Sequence, residues 1–243
     1  MITPDPVLFS FRLYGNTPIL VTPWTFFGLV GNVLFTARVL VQWIASERQK
    51  KSIAPVAFWW ASLAATLIMI LYCIQRFEVE RGVIAFLLGY SINIVPYTRN
   101  LMLIYSIRRI WHVLSYVACA LIFLAALALL GWVFYEGIGT RGMIAPGADA
   151  ASGRFMQYLV LFLGLAGNAI WSTRFIPQWI HSERRGKSVL PMWFWIWSLV
   201  GQLICLAYAL ILRDLVFILG FLFNGIPIVR NIMLSKGHTS AHD

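Results

Sequence analysis

Four arginines stand inside apolar runs that are long enough to cross a bilayer: Arg38, Arg99, Arg174 and Arg230. An arginine within a membrane span costs about 2.5–3.5 kcal/mol even on the lenient insertion scale, so each needs a partner or a route to water. All nine acidic residues fall in predicted loops or at helix ends, so no carboxylate inside a span can pair with these arginines. The planar guanidinium matches phosphate or carboxylate. The four positions together favour a shared anionic ligand, although any single arginine is better explained by a side chain that reaches the head groups.

Amide side chains lie on the same predicted helix faces as these arginines. At 100° per residue, Asn32, Arg38 and Gln42 share one arc of the first span, and the same pattern recurs 136 residues later. Such amides either bond neighbouring helices, at about 0.6 kcal/mol each, or contact a ligand, and we give the two interpretations equal weight. The predicted ligand-binding residues are Asn32, Arg38, Gln42, Asn93, Arg99, Asn100, Asn168, Arg174, Gln178, Asn224, Arg230 and Asn231.

No residues with catalytic spacing accompany this set. Glu47 and Glu183 are each followed by arginine in a basic loop, where a solvated ion pair is the simpler interpretation. The four histidines form no ligand pair within a span, and the three cysteines lie in apolar runs. The sequence therefore predicts no metal and no cofactor. It leaves the question of enzymatic activity open but argues against it, because an acid, a base and a nucleophile cannot be assembled.

The elements that must position these side chains are membrane helices. Hydrophobic residues make up 60% of the 243 residues, charged residues 12%, and the mean hydropathy is +0.78, which excludes a soluble domain. Seven runs have about the twenty residues that a bilayer requires: 23–45, 54–76, 83–106, 110–135, 156–181, 190–212 and 214–234. We therefore predict an all-α, polytopic membrane protein with seven transmembrane helices.

The distribution of basic residues predicts the orientation of these helices. Lys and Arg cluster after the first, third and fifth predicted spans and beyond the seventh, whereas the opposite loops are nearly neutral. By the positive-inside rule, the N-terminus lies outside and the C-terminus in the cytoplasm. The same clustering explains the net charge of +10 without a nucleic-acid partner.

The chain contains a tandem repeat. The stretch from Gly28 to Leu63 recurs without a gap 136 residues later (164 − 28 = 136), and the third helix recurs at an offset of 131 (220 − 89 = 131). A unit of three helices is odd, so one further span is needed if both copies are to insert in the same direction. The predicted division is an external segment 1–22, a first repeat 23–106, a linker helix with an external loop 107–154, a second repeat 155–235 and a polar tail 236–243. This 3+1+3 plan of parallel repeats places a binding site between the two bundles.

The repeated residues also carry a family resemblance. Each copy has Arg-x3-Gln-Trp-x2-Ser-Glu, then Ser-x2-Pro-x2-Phe-Trp, then Arg-Asn at the end of its third helix, beginning at Arg38 and Arg174. The pattern resembles the N-terminal domain family of lipid A biosynthesis proteins, a small three-helix membrane domain. The wider plan is similar to the PQ-loop and SWEET-type transporters, and Pro177-Gln178 is a literal Pro-Gln pair. The family resemblance implies a role in lipid A or related glycolipid metabolism at the bacterial inner membrane, without the soluble glycosyltransferase that makes the lipid A disaccharide.

Three functional hypotheses follow. The first is a protein that binds and presents or translocates a phosphorylated glycolipid or lipid-linked sugar, with membrane lipids as its other partners. The second is a SWEET-like transporter of small solutes such as sugars. The third is a non-catalytic membrane subunit whose basic inner loops recruit a glycosyltransferase.

Overall fold

The computed structural model describes residues 6–13, 18–49, 55–77, 79–105, 109–136, 150–174 and 192–239. Within these ranges lie seven α-helices: α1 (Pro23–Gln49), α2 (Val56–Phe77), α3 (Ile84–Ile104), α4 (Arg109–Glu136), α5 (Ala150–Thr173), α6 (Met192–Leu212) and α7 (Leu215–Thr239). A 3₁₀ turn (Arg81–Val83) precedes α3. The all-α prediction is confirmed, and the end of the fifth predicted span, 175–181, lies outside the described residues.

A short β-hairpin, which the sequence analysis did not predict, precedes the first helix. Strands β1 (Phe9–Phe11) and β2 (Ile19–Val21) pair in antiparallel fashion, with Phe9 opposite Val21. The side chains of Ile19 and Val21 are each only 2% exposed. The last part of the segment 1–22 therefore packs into the protein.

Among the described residues, five helices are long and apolar enough to cross a membrane: Pro23–Gln42, Val56–Phe77, Val113–Glu136, Phe155–Thr173 and Trp193–Leu212. Helices α3 and α7 have 21 and 25 residues and carry polar residues such as Asn93 and Asn224 among apolar ones. In the same described part of the chain, Leu215–Gly225 of α7 is a further, shorter apolar stretch. Because lipid cannot satisfy their polar groups, these two helices must turn those groups toward protein.

The helices form two three-helix bundles with one additional helix. Helix α2 packs between α1 and α3 in the first bundle, and α6 packs between α5 and α7 in the second. Helix α4 packs against α3. Between the bundles, α1 contacts α7 and α3 contacts α5, so exchange of the two repeats maps each contact onto the other. The described helices thus pack as the predicted grouping of three, one and three helices requires, while the parallel insertion of the two repeats stays a prediction.

Two glycines allow the bundles to approach at symmetry-related points. A Cβ atom added at Gly220 of α7 would lie 2.5 Å from Oδ1 of Asn32 in α1, and one added at Gly89 of α3 would overlap Oδ1 of Asn168 in α5. Each pair obeys the sequence offsets (220 − 89 = 131; 168 − 32 = 136). The two crossings that join the bundles are therefore the same crossing made twice.

The bundles are also tied together at the end where α2 and α6 finish. The hydroxyl of Tyr72 donates to both carboxylate oxygens of Asp214, at 2.9 and 2.8 Å, and Nε of Arg76 donates to Oδ2 at 3.1 Å. Tyr208, the counterpart of Tyr72 (208 − 72 = 136), donates to the carbonyl oxygen of Gly82 at 2.6 Å. Each tyrosine thus bonds the start of the other repeat's third helix.

An aromatic pair closes the centre of the same end. The rings of Phe86 and Phe217, which occupy equivalent positions (217 − 86 = 131), lie with centroids 4.1 Å apart. Tyr208 and Phe221 each lie 5.3 Å from Phe86. Equivalent residues that touch each other must lie on the symmetry axis, so this pair marks the axis and fills it.

Candidate functional site: a cavity between the two repeats

A cavity opens on the axis between the bundles. Each of the four helices that meet there contributes one asparagine: Asn32 from α1, Asn93 from α3, Asn168 from α5 and Asn224 from α7. The cavity itself is small, about 30 Å³ or room for one or two water molecules, and the empty space reaches about 500 Å³ only with the open mouth included. The remaining lining residues are Phe35, Arg38, Gly89, Tyr90, Tyr97, Trp171, Phe217, Gly220 and Phe221. Five of the predicted site residues, the four asparagines and Arg38, are therefore brought to one place.

The guanidinium of Arg38 is held at the side of this cavity that faces away from the Phe86–Phe217 pair. Its Nη1 atom donates to Oγ of Ser62 at 3.0 Å and to the hydroxyl of Tyr97 at 2.9 Å. The ring of Phe35 lies 4.7 Å from the guanidinium carbon. Arg38 is only 9% exposed, so its side chain turns into the protein.

Charge compensation for Arg38 is incomplete within the described part of the chain. No carboxylate there forms an ion pair with it, since the ion pair found in those ranges joins Arg76 to Asp214. Its buried Nε atom has no hydrogen-bond partner. Stacked rings and two hydroxyl groups supply partial negative charge only. A buried cation in this setting is stabilised when an anion enters.

Arg174, the counterpart of Arg38, has a different environment. It directly follows α5, is 5% exposed, and donates to the carbonyl oxygen of Trp171. Its guanidinium carbon lies 3.7 Å from the centroid of the Trp171 ring. Its charge interacts with Arg38 and Tyr97, but Arg174 does not line the cavity. The two repeats thus place equivalent arginines differently.

The four asparagines divide into two kinds. Nδ2 of Asn32 donates to the carbonyl oxygen of Val216 in α7 at 2.5 Å, and Nδ2 of Asn168 donates to the carbonyl oxygen of Gly164 at 3.3 Å. Asn93 and Asn224 make no hydrogen bond with the described residues although both line the cavity. The first two act at least partly in helix packing, whereas the amides of the other two face the cavity unpaired.

We expect the two kinds of asparagine to contribute differently to the free energy of unfolding. Asn32→Ala removes an interhelical hydrogen bond and should lower the free energy of unfolding by about 1 kcal/mol. Asn93→Ala removes no such bond and should change it by less than about 0.5 kcal/mol. Reversible unfolding in mixed detergent micelles measures both. Equal losses for the two variants would contradict the distinction between packing and cavity amides.

The other predicted residues lie outside this cluster or outside the described residues. Asn100 donates to the carbonyl oxygen of Pro96 at 2.7 Å, and half-exposed Gln42 does not line the cavity. Gln178 and the side chains of Arg99, Arg230 and Asn231 lie outside the described residues.

Several residues of the site were not predicted from the sequence as ligand contacts. Tyr97 is the most consequential, because its hydroxyl meets Arg38 inside the cavity. It stands four residues after Asn93 and therefore on the same helix face, which is the signal that would have found it. Phe35 and Trp171 share the predicted arcs of Arg38 and Arg174 but were assigned no contact.

The cavity combines one cationic group, the two phenols of Tyr90 and Tyr97, four amides and aromatic walls. None of its described lining residues is acidic, and the described part of the chain contains no group of three His, Cys, Asp or Glu side chains that could hold a metal. The arrangement offers donors to an anion and amides to hydroxyl groups.

Comparison with known families returns a single kind of protein. The family model for the Lipid A Biosynthesis N-terminal domain matches residues 27–102 and 163–233, which together exceed half of the chain. The two matches coincide with the two bundles, in agreement with the predicted tandem copy.

Three relatives show the same likeness over most of this chain. The lipid-A-disaccharide synthase of Chlamydia felis is 30% identical over 213 residues, which are 85% of this chain and 32% of that protein. The proteins of the same name from Chlamydia muridarum and Chlamydia trachomatis serovar D are 29% and 30% identical, each over 90% of this chain and 35% of their own length. The chain thus spans about a third of the length of the curated relatives it matches. No solved structure matches it, so the likeness to PQ-loop and SWEET-type transporters stays a prediction.

Proposed function

Since this chain belongs to the lipid A biosynthesis N-terminal domain family and carries the domain twice, we propose that it binds a phosphorylated glycolipid or lipid-linked sugar. The ligand's head group occupies the cavity between the repeats, and its apolar chains lie in the surrounding bilayer. The protein then presents this lipid to an enzyme or moves it across the membrane. The coarser role, a membrane protein of lipid A biosynthesis, follows from the family and the apolar helices.

The observation that carries the proposal is the position of Arg38. Its guanidinium is buried beside a cavity whose described lining contains no acidic residue. Such a charge is costly unless it is paired. Hydrogen bonds to Ser62 and Tyr97 fix its orientation, so the cation is pre-organised before a ligand arrives. A phosphate group is the anion that a membrane lipid brings to this depth.

The amides in the cavity favour a ligand that contains a sugar. Asn93 and Asn224 line the cavity without a hydrogen bond to the described residues, and amides both donate and accept. Sugar hydroxyl groups need both kinds of partner. A choline head group offers no donor to these amides, whereas a sugar offers both donors and acceptors.

The orientation and placement of the protein belong to the same proposal. With the N-terminus outside and the C-terminus in the cytoplasm of a bacterial inner membrane, the Arg38 side of the cavity faces the cytoplasmic leaflet. The repeats then occupy 23–106 and 155–235, joined by the linker 107–154. The end closed by Phe86 and Phe217 faces outward.

The test is native mass spectrometry of the protein released gently from its own membrane, with identification of every lipid that stays bound. We expect a phosphorylated glycolipid or lipid-linked sugar, retained about tenfold less by Arg38→Gln, because the variant removes the buried cation but keeps hydrogen-bonding capacity. Arg12→Gln is the matched control, since Arg12 is exposed beside β1. If only bulk phospholipid is retained and Arg38→Gln changes nothing, the proposal is wrong.

A second candidate function is recruitment of a separate glycosyltransferase. It is favoured by the length of the relatives, in which a region like this chain makes up about a third of a protein named lipid-A-disaccharide synthase. Because such a region is joined to the rest of the synthase in one chain there, the same region on a separate chain could bind a separate enzyme at the membrane. Co-purification in mild detergent after chemical cross-linking should then recover a glycosyltransferase, and recovery of none would rule this function out.

A further inference from the structure

We infer that the cavity is one-sided and selects a head group with a single negative charge, a sugar joined to its lipid through one phosphate as a phosphodiester. The phosphate lies on the first-repeat side, against Arg38 and Tyr97, and the sugar lies toward the second repeat. This inference rests on the proposed function and specifies its substrate class and the orientation of the ligand.

The cavity lining loses its symmetry at two tyrosines of the first repeat, of which Tyr90 corresponds to Phe221 (221 − 90 = 131). The repeats keep equivalent asparagines and glycines around the cavity, but Tyr97 corresponds to Ile228 in the second repeat (228 − 97 = 131). Ile228 is a buried apolar residue outside the lining, whereas Tyr97 lines the cavity. A phenol hydroxyl is therefore present on one side of the axis and missing at the equivalent place on the other.

The side of the cavity formed by Arg38 and Tyr97 offers hydrogen-bond donors. The Tyr97 oxygen accepts from Arg38 at 2.9 Å, and its own proton goes to none of the described residues. On Arg38, Nη1 is committed to Ser62 and Tyr97, while Nη2 makes no hydrogen bond with the described residues. A phenol and a guanidinium that already touch, each with donor capacity left, form a cradle for the oxygens of one phosphate group.

The charge of the cavity lining limits the charge of the ligand. Among the described residues that line the cavity, Arg38 is the only charged one. A phosphodiester carries one negative charge, which neutralises the positive charge of Arg38. A pyrophosphate or a phosphate monoester carries about two negative charges. Arg174 lies over the Trp171 ring and is not part of the cavity lining. Within the described part of the chain, a second buried negative charge would therefore lack a contacting cation.

The second-repeat side of the cavity suits the sugar. Trp171 takes the position that Phe35 holds in the first repeat (171 − 35 = 136) and lines the cavity with Asn168 and Asn224. Because Arg174 covers one face of the indole at 3.7 Å, the cavity meets its remaining surface. A broad aromatic ring flanked by amides suits the apolar C–H face and the hydroxyl rim of a sugar.

The experiment compares two synthetic amphiphiles that share one short prenyl tail and one hexose but differ in the linker, a single phosphate or a pyrophosphate. Their dissociation constants are measured for the purified full chain in detergent at constant salt. We expect the single-phosphate compound to bind at least about tenfold more tightly. Tyr97→Phe should weaken its binding about fivefold or more, because the variant removes one donor to the phosphate.

Tyr105→Phe is the matched control, since the hydroxyl of Tyr105 accepts from Trp60 outside the cavity. It should leave the affinity unchanged, and thermal unfolding of both variants reports whether they fold. Equal or tighter binding of the pyrophosphate compound overturns the single-charge inference while the proposed function stands. An unchanged affinity in Tyr97→Phe overturns the placement of the phosphate. If neither compound binds, the proposed function itself fails.

Discussion

Replacement of Asp214 by asparagine is expected to lower the free energy of unfolding by about 3 kcal/mol. The Asp214 side chain is 1% exposed and receives four donors: the Tyr72 hydroxyl, Nε of Arg76, and the backbone N–H groups of Val216 and Phe217. An asparagine of the same size would turn an NH₂ group toward at least one of these donors. It would also leave the Arg76 cation, whose side chain is 18% exposed, without its counter-charge.

The measurement is reversible unfolding in mixed micelles, followed by helical circular dichroism. Glu136→Gln, at the exposed end of α4, makes the same chemical change outside any such network and should shift stability by less than about 0.5 kcal/mol. A comparable, small shift for Asp214→Asn would show that the Tyr72–Arg76–Asp214 network does not hold the two repeats together.

Substitution of Gly220 by alanine is the second large effect we expect, a destabilisation of about 2–3 kcal/mol. The added methyl group would lie 2.5 Å from Oδ1 of Asn32, a side chain that is itself fixed by its bond to Val216. Gly89→Ala should behave alike, because its methyl group would overlap Asn168. In both variants α1 or α5 must move away from the facing helix.

Gly131→Ala provides a control of opposite sign. A Cβ atom at Gly131 in α4 would meet nothing within 4 Å, so alanine should stabilise the helix by about 0.5–1 kcal/mol. The same unfolding assay compares the three variants. The double variant Gly220→Ala with Asn32→Ala should recover part of the loss, since the obstacle is removed. If Gly220→Ala stabilises the protein as Gly131→Ala does, the close crossing of α1 and α7 is wrong.

Much of this fold follows from features that repeat along the chain. A run of about twenty apolar residues has few alternatives to a helix in a membrane, so the seven helices and their approximate bounds were predictable. The four cavity asparagines were predictable as a group because residues at equivalent positions of two repeats must meet around the axis between them. Their division into packing and cavity amides was not, since it depends on distances of a few tenths of an ångström across helices.

The features that sequence patterns missed all depend on contacts between distant residues. Asp214 reads as an ordinary charge at a helix end, and only packing against Tyr72 and Arg76, 142 and 138 residues away, makes it buried. The β1–β2 hairpin is too short for a periodic pattern to stand out. Tyr97 follows a proline in a helix whose polar face was assigned to its asparagines. Nothing else in the sequence indicated that Tyr97 contacts Arg38.

The helix that joins the repeats has a consequence for how such a site can change. In a dimer of two identical three-helix chains, every substitution near the axis occurs twice, so the two halves of the interface remain alike. With both copies on one chain, a single codon alters one half alone. Tyr97 opposite Ile228 and Asp214 opposite Val83 are such changes. Helix α4, which contributes nothing to the cavity lining, is therefore what permits the two halves to specialise.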